Sequence, residues 1–263
     1  MKLATAITGS GDPLVLLHGM GSSSMSAWKV IRPELDKHFT VISFDLPGHG
    51  ETSFDPFQKM DPLSLATLIV EQLDRLEIPK VHVAGNSLGG WIGLEMAAAY
   101  PDRVFTLTGL APAGLWLVPT YKRTLLGSTS RYLAASTYKV ADQLMKFEPA
   151  RKLGFAEVSP IWKELPHDVV RDAVIAYGSS EGYFPAWDGM LKRRFDKAID
   201  ASIPVTIIFG DTDNTLPVQT SQERSLAPQH ARWVTLPQSG HAPMWDRPAE
   251  CVAEIIHTAS LVP

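Results

Sequence analysis

The sequence predicts an α/β fold, a mostly parallel central sheet flanked by helices, with a further helical segment inserted between two of its strands. Three observations carry that expectation. Short apolar runs of strand length alternate with stretches of helical periodicity from Leu14 to Thr108 and again from Val205 to Ile256, and that alternation builds parallel sheets covered on both faces. The alternation stops at Ala111-Pro112, and no convincing buried strand follows until about Ser202. Between a β-favouring run and a helix-rich one stands Gly85-Asn86-Ser87-Leu88-Gly89-Gly90, the context of a sharp strand-to-helix turn that projects a serine.

Leu14-Val15-Leu16-Leu17 fits a strand buried on both faces and runs into the loop His18-Gly19-Met20-Gly21. Such a loop can aim a main-chain N–H at the serine. The Met20 amide is therefore the candidate partner of the Leu88 amide in an oxyanion hole. His18 reads as an anchor for the loop, because the loop's contribution is main-chain. After a polar stretch, Trp28 to Leu35 predicts a first helix ending near Asp36. Phe39 to Phe44 is a strand, closed by Asp45-Leu46-Pro47-Gly48-His49-Gly50, a tight turn that Asp45 and His49 would staple with their own side chains.

Asp61-Pro62 opens an amphipathic helix in which Leu65, Leu68, Ile69, Leu73 and Leu76 recur at helical spacing. A strand at 81–84 leads into the serine turn, a helix over 91–99 stops at Tyr100-Pro101, and a strand follows at 104–108. At the turn, glycines on either side let strand and helix pass closely while Ser87 takes a strained backbone conformation. The start of the following helix adds positive potential where an oxyanion would form.

Residues 112–202 predict helices at roughly 119–135, 137–147, 166–178 and 186–199, separated by Gly154, Pro160, Pro166, Gly178, Gly182 and Pro185. This organisation divides the chain into a core of 1–111 with 203–263 and a lid of 112–202 lying over the carboxyl ends of the strands. Trp116, Met145 and Trp187 are candidate substrate-lining residues of that lid. The sheet resumes at 205–209 and 232–236, and a last helix opens at Pro248 with Val252, Ile255 and Ile256 facing inward.

Composition narrows the function classes. The 263 residues suffice for a substantial core, and 45% hydrophobic with 20% charged residues is ordinary for a soluble globular chain. A net charge of −4, with no basic run beyond Lys192-Arg193-Arg194, argues against a general nucleic-acid binder. The charge is uneven, since residues 112–202 hold 13 basic and 10 acidic side chains while the rest is acidic. That balance reads first as a solvated helical surface and second as contact with an anionic or polar ligand. Cys251 is the single cysteine, which excludes an intrachain disulfide and suits a reducing compartment; its place in the last helix marks a buried thiol. No apolar run reaches membrane-span length, and Thr8 to Asp12 interrupts the first residues before they could form a secretory signal, so a cytoplasmic location is expected.

Ser87, an aspartate within 211–213 and His241 stand at the ends of three separate strands, in that chain order. A serine hydroxyl is a poor nucleophile until an imidazole takes its proton, and a carboxylate fixes the imidazole tautomer and stabilises its charged form. With His18-Gly19-Met20-Gly21, the Asp45–Gly50 turn, the serine turn, Gly210-x-x-Asp213 followed by Pro217, and Gly240-His241, the chain resembles the α/β-hydrolase fold superfamily over nearly its whole length apart from the lid. The resemblance selects Asp213 over Asp211 as the acid. It implies a serine hydrolase that cleaves a small-molecule carboxylic ester through an acyl-enzyme, with no metal or organic cofactor. The alternative it offers is hydrolysis of a carbon–carbon bond in a ring-fission diketone. Those relatives share Gly-Asn-Ser, but carry arginine where this chain has Asp211 and tryptophan where it has Ala242. A third reading, of a different class, is a slow or non-catalytic receptor for a small ligand on the same fold.

Overall fold

Side chains at successive strand positions point to opposite faces, and the buried residues of this chain sort accordingly. Val15, Leu17, Val83 and Ile207 lie in one apolar cluster, while Leu14, Leu16, Ala84 and Ile208 lie in another. The computed structural model, which describes residues 1–262, joins seven strands into one sheet between these clusters. They are β1 (Thr5–Gly9), β2 (Asp12–Leu17), β3 (Phe39–Phe44), β4 (Val81–Asn86), β5 (Val104–Leu110), β6 (Val205–Gly210) and β7 (Arg232–Leu236). Their order in space is β1-β3-β2-β4-β5-β6-β7, parallel throughout except for the antiparallel pairing of β1 with β3.

Helices cover both faces. The short α1 (Ser24–Trp28) and α2 (Arg32–Leu35) bring Trp28 and Leu35 to the second cluster, while α3 (Pro62–Arg75) and α4 (Leu88–Ala99) bring Leu65, Ile69, Leu73 and Trp91 to the first. Each of these large side chains, buried outright, contributes about 2 kcal/mol of apolar burial. Between β5 and β6 lie α5 (Leu125–Thr137), α6 (Ala141–Leu144), α7 (Glu148–Phe155), α8 (His167–Ser179) and α9 (Tyr183–Met190). The chain closes with α10 (Val218–Ser221), α11 (Pro243–Asp246) and α12 (Pro248–Ala259), the last placing Cys251, Val252 and Ile255 on the second cluster. Among the described residues no helix is long and apolar enough to cross a membrane.

Several expectations need correction. A single helix from Trp28 to Leu35 is replaced by α1 and α2, because Ser23 and Ser26 form a reciprocal capping box that starts the helix earlier. Pro33 has no N–H with which to carry the helix through from Lys29, so a second one starts at Arg32. The edge strand β1 was not legible, since most of its residues are exposed and leave no apolar alternation to read.

In the inserted segment, residues 119–124 are not helical: Thr124 caps α5 by accepting the Gly127 N–H. The unforeseen α7 starts at Glu148-Pro149, with proline in its first turn. Residues 191–199 are not helical either. Lys192 takes φ 62°, and the Phe195 N–H donates to the Gly114 carbonyl at 2.9 Å. Leu115, Trp116, Met190, Phe195 and Ile199 belong to the sheet's own first cluster, whereas Met145, Phe155, Trp162, Leu165 and Val170 make a small separate core among the inserted helices. The segment 112–202 is therefore not a single layer apart from the sheet.

Candidate active site

Because β2, β4, β5, β6 and β7 are parallel, their carboxyl ends fall along one edge of the sheet. That edge is where ligands meet open α/β sheets. Leu17 pairs with Gly85 across β2 and β4, which sets the loop at His18 beside the turn at Ser87. A Cβ on Gly89 would fall onto the Leu17 carbonyl, and one on Gly85 onto the Gly89 carbonyl, so only glycine lets this crossing close. Ser87 pays for the sharp turn in backbone strain, at φ 54° and ψ −116°. Its N–H donates to the Leu110 carbonyl at 3.0 Å, and its own carbonyl accepts the Ala113 N–H at 2.9 Å, so the end of β5 and the loop after it hold the strained residue.

The hydroxyl is met by an imidazole. His241 Nε2 lies 3.0 Å from Ser87 Oγ, and His241 Nδ1 lies 3.0 Å from Asp213 Oδ2. A carboxylate only accepts, so Nδ1 carries the proton and Nε2 is left to accept from the serine. Asp213 Oδ1 is separately held by the Thr215 and Leu216 amides at 3.0 and 2.8 Å. The Asp213 side chain is fully buried and that of His241 nearly so. Asp211 stands apart, its carboxylate accepting the Ser239 N–H at 3.3 Å. The Met20 and Leu88 amides have no hydrogen-bond partner among the described residues. A Cβ placed on Gly19, next to Met20, would be 3.2 Å from the Ser87 Cβ, so that loop passes directly by the serine.

The loop carrying His241 is fixed by residues that sequence reasoning did not single out. The Asn86 side-chain amide donates to the His241 carbonyl at 3.1 Å and to the Leu110 carbonyl at 3.0 Å. The His241 N–H donates to the Val158 carbonyl at 2.8 Å, which ties the loop to the inserted segment. Asp246 accepts the Gly240 N–H at 2.7 Å and the Ser159 hydroxyl, and burial raises its carboxyl above the usual range.

Trp116, Met145 and Trp187, the expected lining residues, are each engaged in packing contacts. Trp116 stacks edge-on against Trp91 and donates its indole N–H to the Arg193 carbonyl at 2.7 Å. Met145 is in the small core of the insert, and Trp187 packs on Tyr183 and against Gly127 of α5. Large apolar side chains in a helical segment first satisfy its own packing. Two aromatic residues of the insert, Tyr177 and Tyr183, reach the Met20 loop. Gly21, at φ 72°, sits so close that a Cβ there would be 2.6 Å from Tyr177 Cδ2 and 2.9 Å from Tyr183 Cδ2. No periodicity marked them.

His18 and His49 hold loops rather than protons for chemistry. His18 Nδ1 donates to the Gly19 carbonyl at 2.8 Å while Nε2 accepts the Leu46 N–H at 3.0 Å, and burial holds its pKa below the usual value. Asp45 accepts the Ser24 and Glu51 amides at 2.7 and 2.9 Å. His49 donates from Nδ1 to the Pro47 carbonyl at 3.0 Å, and burial, with the neighbouring His18, lowers its pKa from 6.5 to about 3. The unfolded chain takes up a proton at this ring near pH 6.5, but the folded chain cannot until about pH 3. Stability should therefore fall as pH drops through that window, by of order 5 kcal/mol from this ring. Urea unfolding at stepped pH measures it, and His49→Asn should make the acid limb shallower; an unchanged limb would refute the assignment.

Among the described residues no group of three or more His, Cys, Asp or Glu side chains could hold a metal ion. A strained serine at the central strand-to-helix crossing of a parallel sheet, with a partly buried imidazole and a buried carboxylate in line behind it, is the arrangement expected of a strand–turn–helix serine motif. The chain belongs to the alpha/beta hydrolase family, whose sequence model matches residues 14–254. It is 28% identical over 239 residues to the dihydrolipoyllysine-residue acetyltransferase component of the acetoin cleaving system of Pseudomonas putida, covering 88% of this chain but only 59% of that protein. It is 26% identical over 236 residues to 2-hydroxy-6-oxo-2,4-heptadienoate hydrolase of Pseudomonas putida, covering 81% of this chain and 76% of that protein. A thermophilic esterase from Thermogutta terrifontis shares the fold at a TM-score of 0.69 and 23% identity, over 97% of this chain and 92% of that one.

Proposed function

We propose that the protein is a serine hydrolase that cleaves carboxylic esters through an acyl-enzyme. The observation that carries this reading is the unbroken line from Ser87 Oγ through His241 to Asp213, with 3.0 Å at each step. In the first half, His241 Nε2 takes the hydroxyl proton as Ser87 Oγ bonds to the acyl carbon and the carbonyl electron pair moves onto oxygen. The Met20 and Leu88 amides hold that oxyanion, each worth about 3 kcal/mol to the transition state. The imidazolium then gives its proton to the leaving alcohol. In the second half His241 removes a proton from water, hydroxide adds to the acyl carbon, and the carboxylic acid leaves as Ser87 regains its proton. Asp213 stays ionised, steadying the imidazolium. The inserted helices form a lid on this edge of the sheet, a reading supported by the contact of Tyr177 and Tyr183 with Gly21.

Carbon–carbon hydrolysis of a diketone is the second reading, favoured by the relative named as a 2-hydroxy-6-oxo-2,4-heptadienoate hydrolase. Against it stand Asp211 and Ala242, where such enzymes carry arginine and tryptophan. Turnover of p-nitrophenyl esters of graded acyl length, measured beside a ring-fission diketone, separates the two. Esters should be consumed faster. A diketone turned over far faster than every ester would overturn the ester reading, and tight ligand binding with negligible turnover would make the protein a receptor.

A further inference from the structure

The helix α5 has two unlike faces. Inward, Gly127 meets Trp187, the Ala134 carbonyl lies against Gly178, and Arg131 donates to the Ser180 carbonyl at 2.7 Å. Outward lie Leu125, Leu126 and Leu133, with Tyr132 at the edge of the face where its ring meets Phe184 of α9, continued by Val140 in the following turn, each between 48% and 82% exposed. At helical spacing these positions fall on one stripe about 120° wide, with only Thr129 and Ser136 between them and no charge. Neither hydroxyl depends on water. Thr129 Oγ1 donates to the Leu125 carbonyl at 3.0 Å and Ser136 Oγ to the Leu133 carbonyl at 2.8 Å. A contiguous apolar stripe of this kind marks a contact surface.

Charge identifies the contact. The chain carries −4 overall, yet no aspartate or glutamate occurs between Asp102 and Asp142. Lys122 precedes the helix and Lys139 follows it, neither in an ion pair among the described residues, while Arg123 is paired with Asp188. Lys122 stands near the positive end of the helix dipole, where a cation adds no stability, so helix formation does not account for it. Exposed hydrocarbon flanked by free ammonium groups complements acyl chains beneath anionic headgroups. A second copy meeting this face symmetrically would bring the same cations together.

We propose that the outer face of α5 docks on an anionic lipid bilayer, lying in the plane of its interface. The test is co-sedimentation with vesicles of phosphatidylcholine, alone and with phosphatidylserine, at low and high salt. The protein should bind only the phosphatidylserine vesicles, and less in high salt. Leu126→Glu with Leu133→Glu, and separately Lys122→Glu with Lys139→Glu, should each weaken binding by about tenfold or more. All four side chains are exposed, so an unchanged circular dichroism spectrum is expected to accompany the loss.

Because Cys251 is buried, Thr129→Cys supplies the one reactive thiol, and a polarity-sensitive fluorophore there should shift to the blue on adding phosphatidylserine vesicles. Absent vesicle binding, binding undiminished in both double variants, or an unshifted fluorophore on bound protein would overturn the proposal. A dimer without vesicle affinity, dissolved by Leu126→Glu, would assign the face to a second copy instead. Vesicles alone are the probe, so the outcome is independent of whether the protein turns over esters.

Discussion

Ser87→Ala should lower ester turnover by about 10^4-fold or more while leaving the fold intact. The loss is large because no neighbouring hydroxyl occupies the position 3.0 Å from His241 Nε2, and His241 acting alone has only water to activate. It is not total, since the Met20 and Leu88 amides remain to steady an oxyanion. Stability should change little, because alanine meets the same strain at φ 54° that serine does and the main-chain bonds of residue 87 to Leu110 and Ala113 stay in place. Hydrolysis of p-nitrophenyl esters gives the rate, and a serine-directed fluorophosphonate gives an independent readout: it should label the native protein at residue 87 alone and leave the variant unlabelled. Equal turnover by the two proteins, or labelling at another serine, would refute the assignment of the nucleophile.

What could be read from the sequence follows from how local each determinant is. The serine turn was legible because its requirements are contiguous: a buried strand, glycines at 85 and 89 that no other residue can replace at the crossing, and a helix directly after. The strands from β2 to β6 were legible because burial on both faces leaves near-continuous apolar runs. β1 was not, being an exposed edge whose place is set by pairing with β3 rather than by its own pattern. Nor could residues 85–90 reveal that Asn86 would hold the His241 carbonyl, a contact between positions 155 apart in the chain.

The inserted segment was misread for a related reason. Trp116 and Trp187 are conspicuous as residue types, but a large aromatic ring says nothing about which of two surfaces will bury it. Here Trp116 goes to Trp91 in the core and Trp187 to Tyr183 within the insert. Tyr177 and Tyr183, which do reach Gly21, are distinguished only by the tertiary approach of α8 and α9 to the loop after β2.

The two aspartates after β6 give the sharpest contrast in expected effect. Asp213→Asn should depress turnover by about 10^4-fold, whereas Asp211→Asn should stay within about threefold of the native rate. The difference lies in what an amide does at each place. At 213 the Thr215 and Leu216 amides hold one side-chain oxygen at 3.0 and 2.8 Å, so an asparagine keeps its oxygen there and turns its NH2 toward His241. That group can only donate, which obliges His241 Nδ1 to accept and shifts the ring proton to Nε2. In that tautomer the imidazole cannot take the proton of Ser87. At 211 the carboxylate accepts a single Ser239 N–H at 3.3 Å, a task the asparagine oxygen performs equally well. Turnover of one ester by the two variants, with urea unfolding to confirm that both remain folded, decides the matter. If Asp211→Asn proved the more damaging, His241 would have to draw its support from the other carboxylate, and the line from serine to acid would need to be redrawn.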